Sequence, residues 1–183
     1  VAAVDQQVAE SIQRAAQTRY FRPYTNPDVV GVELGGVVKN VIALATGMAE
    51  GMGFGDNSKA AIITRGLAEM TRLGVAMGAS PMTFMGLAGI GDLVATCSSG
   101  LSRNRTFGEN LGRGMSLAEV VAVTSQTAEG VTSSSAVLDL ARAHDVDMPI
   151  TEHVASVAHD GRSPRDMVAS LMSRVAKPEW QPS

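Results

Sequence analysis

Three stretches of the sequence carry residues able to do chemistry together. The first is GVELGGVVKNVIALATGMAE, residues 31–50, whose charged residues are Glu33, Lys39 and Glu50. On a helix, at 100° per residue, Lys39 and Asn40 point away from the stripe of Val37, Val41 and Met48. Their face also carries Gly36, Ala43 and Gly47. A solvated face would carry Lys, Glu and Gln there, whereas glycine and alanine let another backbone or a ligand come close. Lys39 is then either a snorkelling lysine on an ordinary helix or an amine held in a lined cleft, where it can give and take a proton. The second stretch, GLAGIGDLVATC, sets Asp92 after Gly86, Gly89 and Gly91 and before Leu93 and Val94. An aspartate in such apolar company is seldom buried without a partner. It either caps a turn or helix, or orients Lys39 or a substrate hydroxyl. The third, SSGLSRNRTFGENLGRG, gathers Ser102, Arg103, Asn104 and Arg105 at the expected start of a helix. Backbone N–H groups, the positive end of the helix dipole and a guanidinium fork suit a phosphate. A capped surface helix with two solvated arginines is the ordinary alternative.

Other candidates are weaker. The glycines of GMGFGDN, residues 51–57, do not follow the G-x-G-x-x-G pattern and come after a helix instead of a strand, so they read as a helix–helix connection. His144, His153 and His159 with the single Cys97 make a poor zinc set, and no metal site is expected. The ten methionines fall mostly on apolar stripes and read as core filler.

Helices must position these groups. Over 35–50 the apolar residues Val37, Val38, Val41, Ile42, Ala45, Met48 and Ala49 follow a 3.6-residue stripe. Ile62, Ile63, Gly66, Leu67, Met70, Leu73, Gly74 and Met77 repeat it over 57–77. Asp56 or Asn57 is expected to cap that second helix and Gly78 to stop it. Ser80-Pro81 opens a short helix to about Leu87, and Ser116 with Glu119 has capping-box spacing. Further helices are expected near 103–112, 132–144 and 150–159, with a last one from Ser163-Pro164 carrying Met167, Val168, Leu171, Met172 and Val175. The first thirty residues differ: VAAV reads as a strand end, Gln6–Ala16 as a helix, and Tyr20–Tyr24 and Val29–Val32 as extended. The expected fold is all-α, with a strand–helix–strand remnant at 1–30 and a helical domain at 31–183.

Composition excludes several classes of function. With 15 Lys+Arg against 18 Asp+Glu the net charge is −3, which offers no electrostatic footprint for nucleic acid or an anionic membrane. A chain 45% hydrophobic and 18% charged is not disordered. No 18 consecutive apolar residues occur, so no membrane span is expected. One cysteine gives no disulfide framework and suits a reducing compartment. The opening VAAVDQQVAE has no signal-peptide pattern, and a start inside a strand without Met reads as a piece of a longer protein.

The longer motifs are recognisable. FRPYTNPDVVGVELGGVVKNVIALATGMAEGMGFGDNSKAAIITRGLAEM, then GLAGIGDLVATCSSGLSRNR, then TAEGV, closely resemble the bacterial-type NAD(P)-dependent glycerol-3-phosphate dehydrogenases, over about residues 19–175. The resemblance implies the C-terminal helical substrate domain of such an enzyme, similar to the 6-phosphogluconate dehydrogenase C-terminal fold. Residues 1–30 would be the last strand–helix–strand of a Rossmann domain. It further implies hydride transfer between NADH or NADPH and dihydroxyacetone phosphate, serving glycerophospholipid synthesis in the cytoplasm, and a homodimer.

Residue roles follow from the same likeness. Lys39, in GGVVKN, matches the catalytic lysine. Asp92 and Thr96, in GDLVATC, and Ser102, Arg103 and Asn104, in LSRNR, match substrate contacts, with Asn40 beside the lysine helping to hold the phosphate. Arg103, Thr127 and Glu129 match positions touching the NAD or NADP cofactor. Val38, where alanine or leucine is usual, alters packing and not chemistry. The wording of KN, GDLVATC and SRNR argues against a sibling such as a ketopantoate or 6-phosphogluconate dehydrogenase. A helical binding or dimerisation module without its own turnover describes the isolated piece.

Overall fold

The computed structural model describes residues 1–124 and 128–166. Among them the elements are α1 (Gln6–Ala16), α2 (Val29–Gly51), α3 (Asp56–Ala76), α4 (Pro81–Phe84), a π-helical turn (Leu87–Gly91), α5 (Asp92–Ser98), α6 (Arg103–Gly112), α7 (Leu117–Thr124), α8 (Glu129–Ala143) and α9 (Pro149–His159). The all-α expectation holds.

The long helix α2 organises the rest. From Val38 to Ala49 only Lys39 is not buried, because α3, α5, α6, α8 and α9 all pack against it. Val41, Leu44, Ala45 and Met48 meet Phe107 and Leu111 of α6, Val131 of α8, and Ile150 and Val154 of α9 in one core cluster. Val38, Ile42 and Ala43 meet Met70 and Leu73 of α3, Phe84, and Leu93 and Cys97 of α5 in a second. By length and apolarity α2 is the one described helix able to cross a bilayer, and this central burial accounts for that composition. Val37, placed on the buried stripe by spacing, is 41% exposed. The neighbouring Val38 fills the core instead.

Small residues set how closely the helices approach. A Cβ on Gly47 would lie 2.0 Å from the carbonyl oxygen of Arg105, and one on Gly108 would lie 2.2 Å from that of Leu44. The two backbones therefore touch, and the expected open Gly/Ala face of α2 is filled by α6. Beneath this seam Arg105 donates to Glu50 at 2.9 Å and to Glu109 at 3.2 Å, tying α6 to the end of α2.

Several expectations need correction. Residues 1–30 form no strand; α1 is helical as expected, but the flanking chain makes only an isolated parallel bridge, Ala2 to Asn26. A lone two-stranded pair is marginal without further strands to extend it. Val29–Val32 is the first turn of α2, because Asp28 caps the helix by accepting from the Gly31 N–H at 2.9 Å. Helix α3 starts on Asp56 after Gly55, so neither Asp56 nor Asn57 caps it, and Asp56 pairs with Lys59 at 2.8 Å instead. Its end is as expected, with Gly78 at φ +86°. Helix α4 stops at Phe84, short of Leu87, leaving Met82 and Met85 exposed because Thr83 and Phe84 face inward. Ser116 and Glu119 form the expected capping box, Ser116 N–H to Glu119 at 2.8 Å and Glu119 N–H to Ser116 at 3.3 Å. The stripe from Met167 to Val175 lies outside the described residues.

Candidate active site

Lys39 leaves α2 on the side where α5 begins. Its Nζ donates to Oδ2 of Asp92, the first residue of α5. The other carboxylate oxygen accepts from the Thr96 hydroxyl one turn later, at 3.2 Å. Asp92 is not held among apolar side chains as expected. Leu93 enters the core, while the Asp92 side chain remains 42% exposed and the Lys39 side chain 21%. The turn before α5 explains the direction. Gly89 sits with its backbone so close to Phe84 that a Cβ would lie 2.1 Å from the Phe84 carbonyl oxygen. Its non-helical φ of −107° and ψ of −106° kink the chain into α5, and such π-type irregularities turn side chains toward functional positions.

Asn40 begins a second branch. Its Nδ2 donates to the Gly36 carbonyl at 3.2 Å and to Glu129 Oε2 at 3.3 Å, and its Oδ1 accepts from Asn104 Nδ2 at 3.0 Å. Asn104 Oδ1 accepts in turn from the Gly130 N–H at 2.9 Å. Both amides are buried, so they join the starts of α6 and α8 to the middle of α2. Asn40 and Asn104 were expected at the phosphate itself; the structure engages their side-chain atoms with protein partners. Spacing offered no sign of this link, because it needs three helix positions at once.

The LSRNR stretch opens α6 as expected. Ser102 is its N-cap, and the hydroxyl accepts from the Arg105 N–H at 3.3 Å. The two arginines divide. The Arg105 side chain is 13% exposed and bound to two glutamates, whereas the Arg103 side chain is 67% exposed and pairs with Glu129 Oε1 at 3.2 Å. Glu129 is the first residue of α8, which begins three residues earlier than its apolar stripe suggested. Thr127 lies outside the described residues. The site therefore has two arms rooted at adjacent positions of one helix: an amine–carboxylate pair, and an asparagine link ending in an exposed ion pair. Among the described residues no group of three or more His, Cys, Asp or Glu can hold a metal ion.

This arrangement has known counterparts. The family model described as NAD-dependent glycerol-3-phosphate dehydrogenase C-terminus matches residues 28–169, which contain every residue of both arms. The chain belongs to that family. It is 69% identical over 179 residues to a protein of Streptomyces griseus named glycerol-3-phosphate dehydrogenase, NAD(P)+, and 68% identical to one of the same name from Streptomyces coelicolor. Each alignment takes in 98% of this chain and 53% of the relative. The chain thus spans about half the length of the curated relatives it matches. A crystal structure of glycerol-3-phosphate dehydrogenase from Coxiella burnetii shares the fold with a TM-score of 0.91 at 41% identity, over 94% of this chain and 53% of that one.

Two acids lie outside this site and were not singled out by spacing. Glu69 is 2% exposed, and its carboxylate accepts from the Ile150 N–H at 2.7 Å and from the Thr151 N–H and hydroxyl, each at 3.2 Å. Burial pushes its pKa up to about 7 against those donors and the nearby Arg72. A glutamate inside the stripe Gly66, Met70, Leu73 was the available signal. Asp28 accepts from the Ser80 N–H at 2.9 Å and the Thr83 hydroxyl at 2.6 Å besides Gly31. Burial raises its pKa, but the donors Thr83, Gly31 and Ser80 outweigh it and hold the carboxyl below its usual value.

Proposed function

We propose that this chain is the substrate half of an NAD(P)-dependent glycerol-3-phosphate dehydrogenase, interconverting dihydroxyacetone phosphate and sn-glycerol 3-phosphate. The observation that carries the reading is the contact of Lys39 with Asp92 inside the family's own segment. The ammonium of Lys39 faces the C2 oxygen of the triose. As that oxygen gains negative charge during reduction, the ammonium stabilises it and then gives it a proton. In oxidation the neutral amine takes the hydroxyl proton. Asp92, steadied by Thr96, keeps the amine on that side. Arg103 and the N-terminal turn of α6, capped by Ser102, receive the phosphate, and this remote grip fixes the reacting carbon in place. Asn40 and Asn104 hold the α6 start in register with Lys39.

The nicotinamide cofactor, when bound, supplies or accepts the hydride. The residues fit such a group: a two-thirds exposed guanidinium and a two-thirds exposed carboxylate, Arg103 and Glu129, stand together at the starts of α6 and α8, and the resemblance adds Thr127. Residues 1–30 would close a dinucleotide-binding domain and 31–183 form the helical domain. The half-length coverage of the relatives and the exposed Val8 and Ile12 of α1 support this division. A cytoplasmic homodimer feeding glycerophospholipid synthesis completes the proposal.

The test is a steady-state assay of the full-length protein with dihydroxyacetone phosphate and NADH or NADPH. Turnover that falls by several orders of magnitude in Lys39→Ala is the expected result. Turnover with an unimpaired variant removes Lys39 from the chemistry. No turnover with either cofactor by the folded protein overturns the proposal.

A further inference from the structure

Glu129 holds a position that the proposed reaction does not explain by itself. One carboxylate oxygen accepts from Arg103 Nη2 at 3.2 Å and the other from Asn40 Nδ2 at 3.3 Å. It thereby engages the exposed arginine of the α6 start and bridges it to the residue next to Lys39. We propose that Glu129 is a specificity-determining residue, which occupies the phosphate seat with its own carboxylate and gives way only to a phosphate-like dianion. This rests on the reading that Arg103 and the α6 N-terminus receive the substrate phosphate.

The physical case is a competition between anions. The Arg103 and Glu129 side chains are 67% and 66% exposed, and exposed pairs of this kind are weak enough to exchange. A phosphate monoester brings about −1.5 to −2 charges and three acceptor oxygens against the single charge of a carboxylate. It can therefore take the guanidinium fork and the helix N-terminus together. The displaced Glu129 stays in the first turn of α8, where the helix dipole favours a negative charge. An uncharged triose has nothing to offer Arg103 in exchange for the carboxylate it would have to displace. Rejection of the wrong substrate is then built from an internal rival, in addition to the contacts made by the right one.

The experiment uses the full-length protein without nucleotide, so that any contact of Glu129 with the cofactor does not enter. Inorganic phosphate is titrated calorimetrically at low ionic strength into wild type, Glu129→Gln and Arg103→Ala. Glu129→Gln is expected to bind phosphate roughly three- to tenfold more tightly, from the lost ion pair and the lost repulsion. At saturating cofactor, its preference in kcat/KM for dihydroxyacetone phosphate over dihydroxyacetone is expected to shrink by a similar factor. Phosphate binding by Glu129→Gln that is equal to or weaker than wild type overturns the inference. Phosphate binding that is undetectable in wild type, or that survives Arg103→Ala unchanged, overturns the underlying phosphate reading instead.

Discussion

Gly36 and Gly47 lie on the same helix, yet replacing each by alanine should move stability in opposite directions. At Gly47 an added Cβ would sit 2.0 Å from the Arg105 carbonyl oxygen and 2.8 Å from the Glu109 backbone nitrogen. An ordinary contact needs about 3.4 Å, so α6 must retreat by 3.4 − 2.0, about 1.4 Å, and backbone atoms cannot rotate out of the way. Overpacking of this kind costs typically about 1–3 kcal/mol. We take about 3 kcal/mol here because the seam is backbone on backbone, less about 1 kcal/mol for the better helix propensity of alanine. The expected net loss is about 2 kcal/mol. At Gly36 nothing lies within 4 Å of the same added atom, so Gly36→Ala keeps only the propensity gain, about 0.5–1 kcal/mol. Urea denaturation followed by circular dichroism measures both. In thermal melts the two variants should differ by about 6–12 °C for a domain of this size. A Gly47→Ala protein as stable as wild type, or one matching Gly36→Ala, would refute the reading of the α2–α6 seam.

Three further predictions follow from the acids and the thiol. Glu69 has a folded-state pKa of about 7 against an ordinary 4.5, so the folded protein holds that proton more tightly. Its contribution is full below pH 4.5 and lost as pH rises through 7, about 3 kcal/mol over 2.5 pH units. Denaturation midpoints measured across that range should decline in wild type and lose this slope in Glu69→Gln; an unchanged slope rejects the assignment. Asp28 is shifted the other way, so its stabilisation is present above its ordinary value of 3.8 and disappears on acidification. Asp28→Ala should destabilise by about 2 kcal/mol through the lost helix cap and the lost Ser80 and Thr83 partners, and a loss under about 0.5 kcal/mol would count against the double cap. Cys97 is 1% exposed with its thiol pushed up to about 11 by burial, against a hydrogen bond with Thr46. Thiol reagents at neutral pH should therefore leave the native protein unlabelled and label it only after unfolding.

What the sequence disclosed, and what it concealed, follows the range of the interactions. Local signals worked: Ser116 with Glu119, the Ser102 cap and the start of α9 at Pro149 all rest on contacts within one turn. The start of α2 was misread because Val29 and Val30 after Pro27 look extended, and the deciding contact is the cap that Asp28 supplies from outside the stripe. The chemistry-bearing residues were legible as types in an unusual setting: a lysine on a glycine-rich face and an aspartate among glycines. Their meeting was not legible, because Lys39 and Asp92 are 53 positions apart and joined only by a kink at Gly89. The asparagine link and the buried Glu69 were hidden for the same reason. Each partner looks ordinary on its own helix, and only the packing of three helices makes it specific.

The seam between α2 and α6 has a mechanical consequence. Gly47 and Gly51 of α2 press on carbonyls of α6, Gly108 and Gly112 of α6 press on carbonyls of α2, and Gly130 of α8 presses on the carbonyl of Asn40. Interlocked teeth of this kind leave α6 no freedom to slide along or roll over α2 without lifting off it. Lys39, the Ser102–Asn104 turn and the head of α8 must therefore travel as one piece. This half of the machinery works as an anvil: whatever closes over the substrate has to come to it, and the give in the catalytic cycle belongs to side chains at the rim such as Arg103 and Glu129.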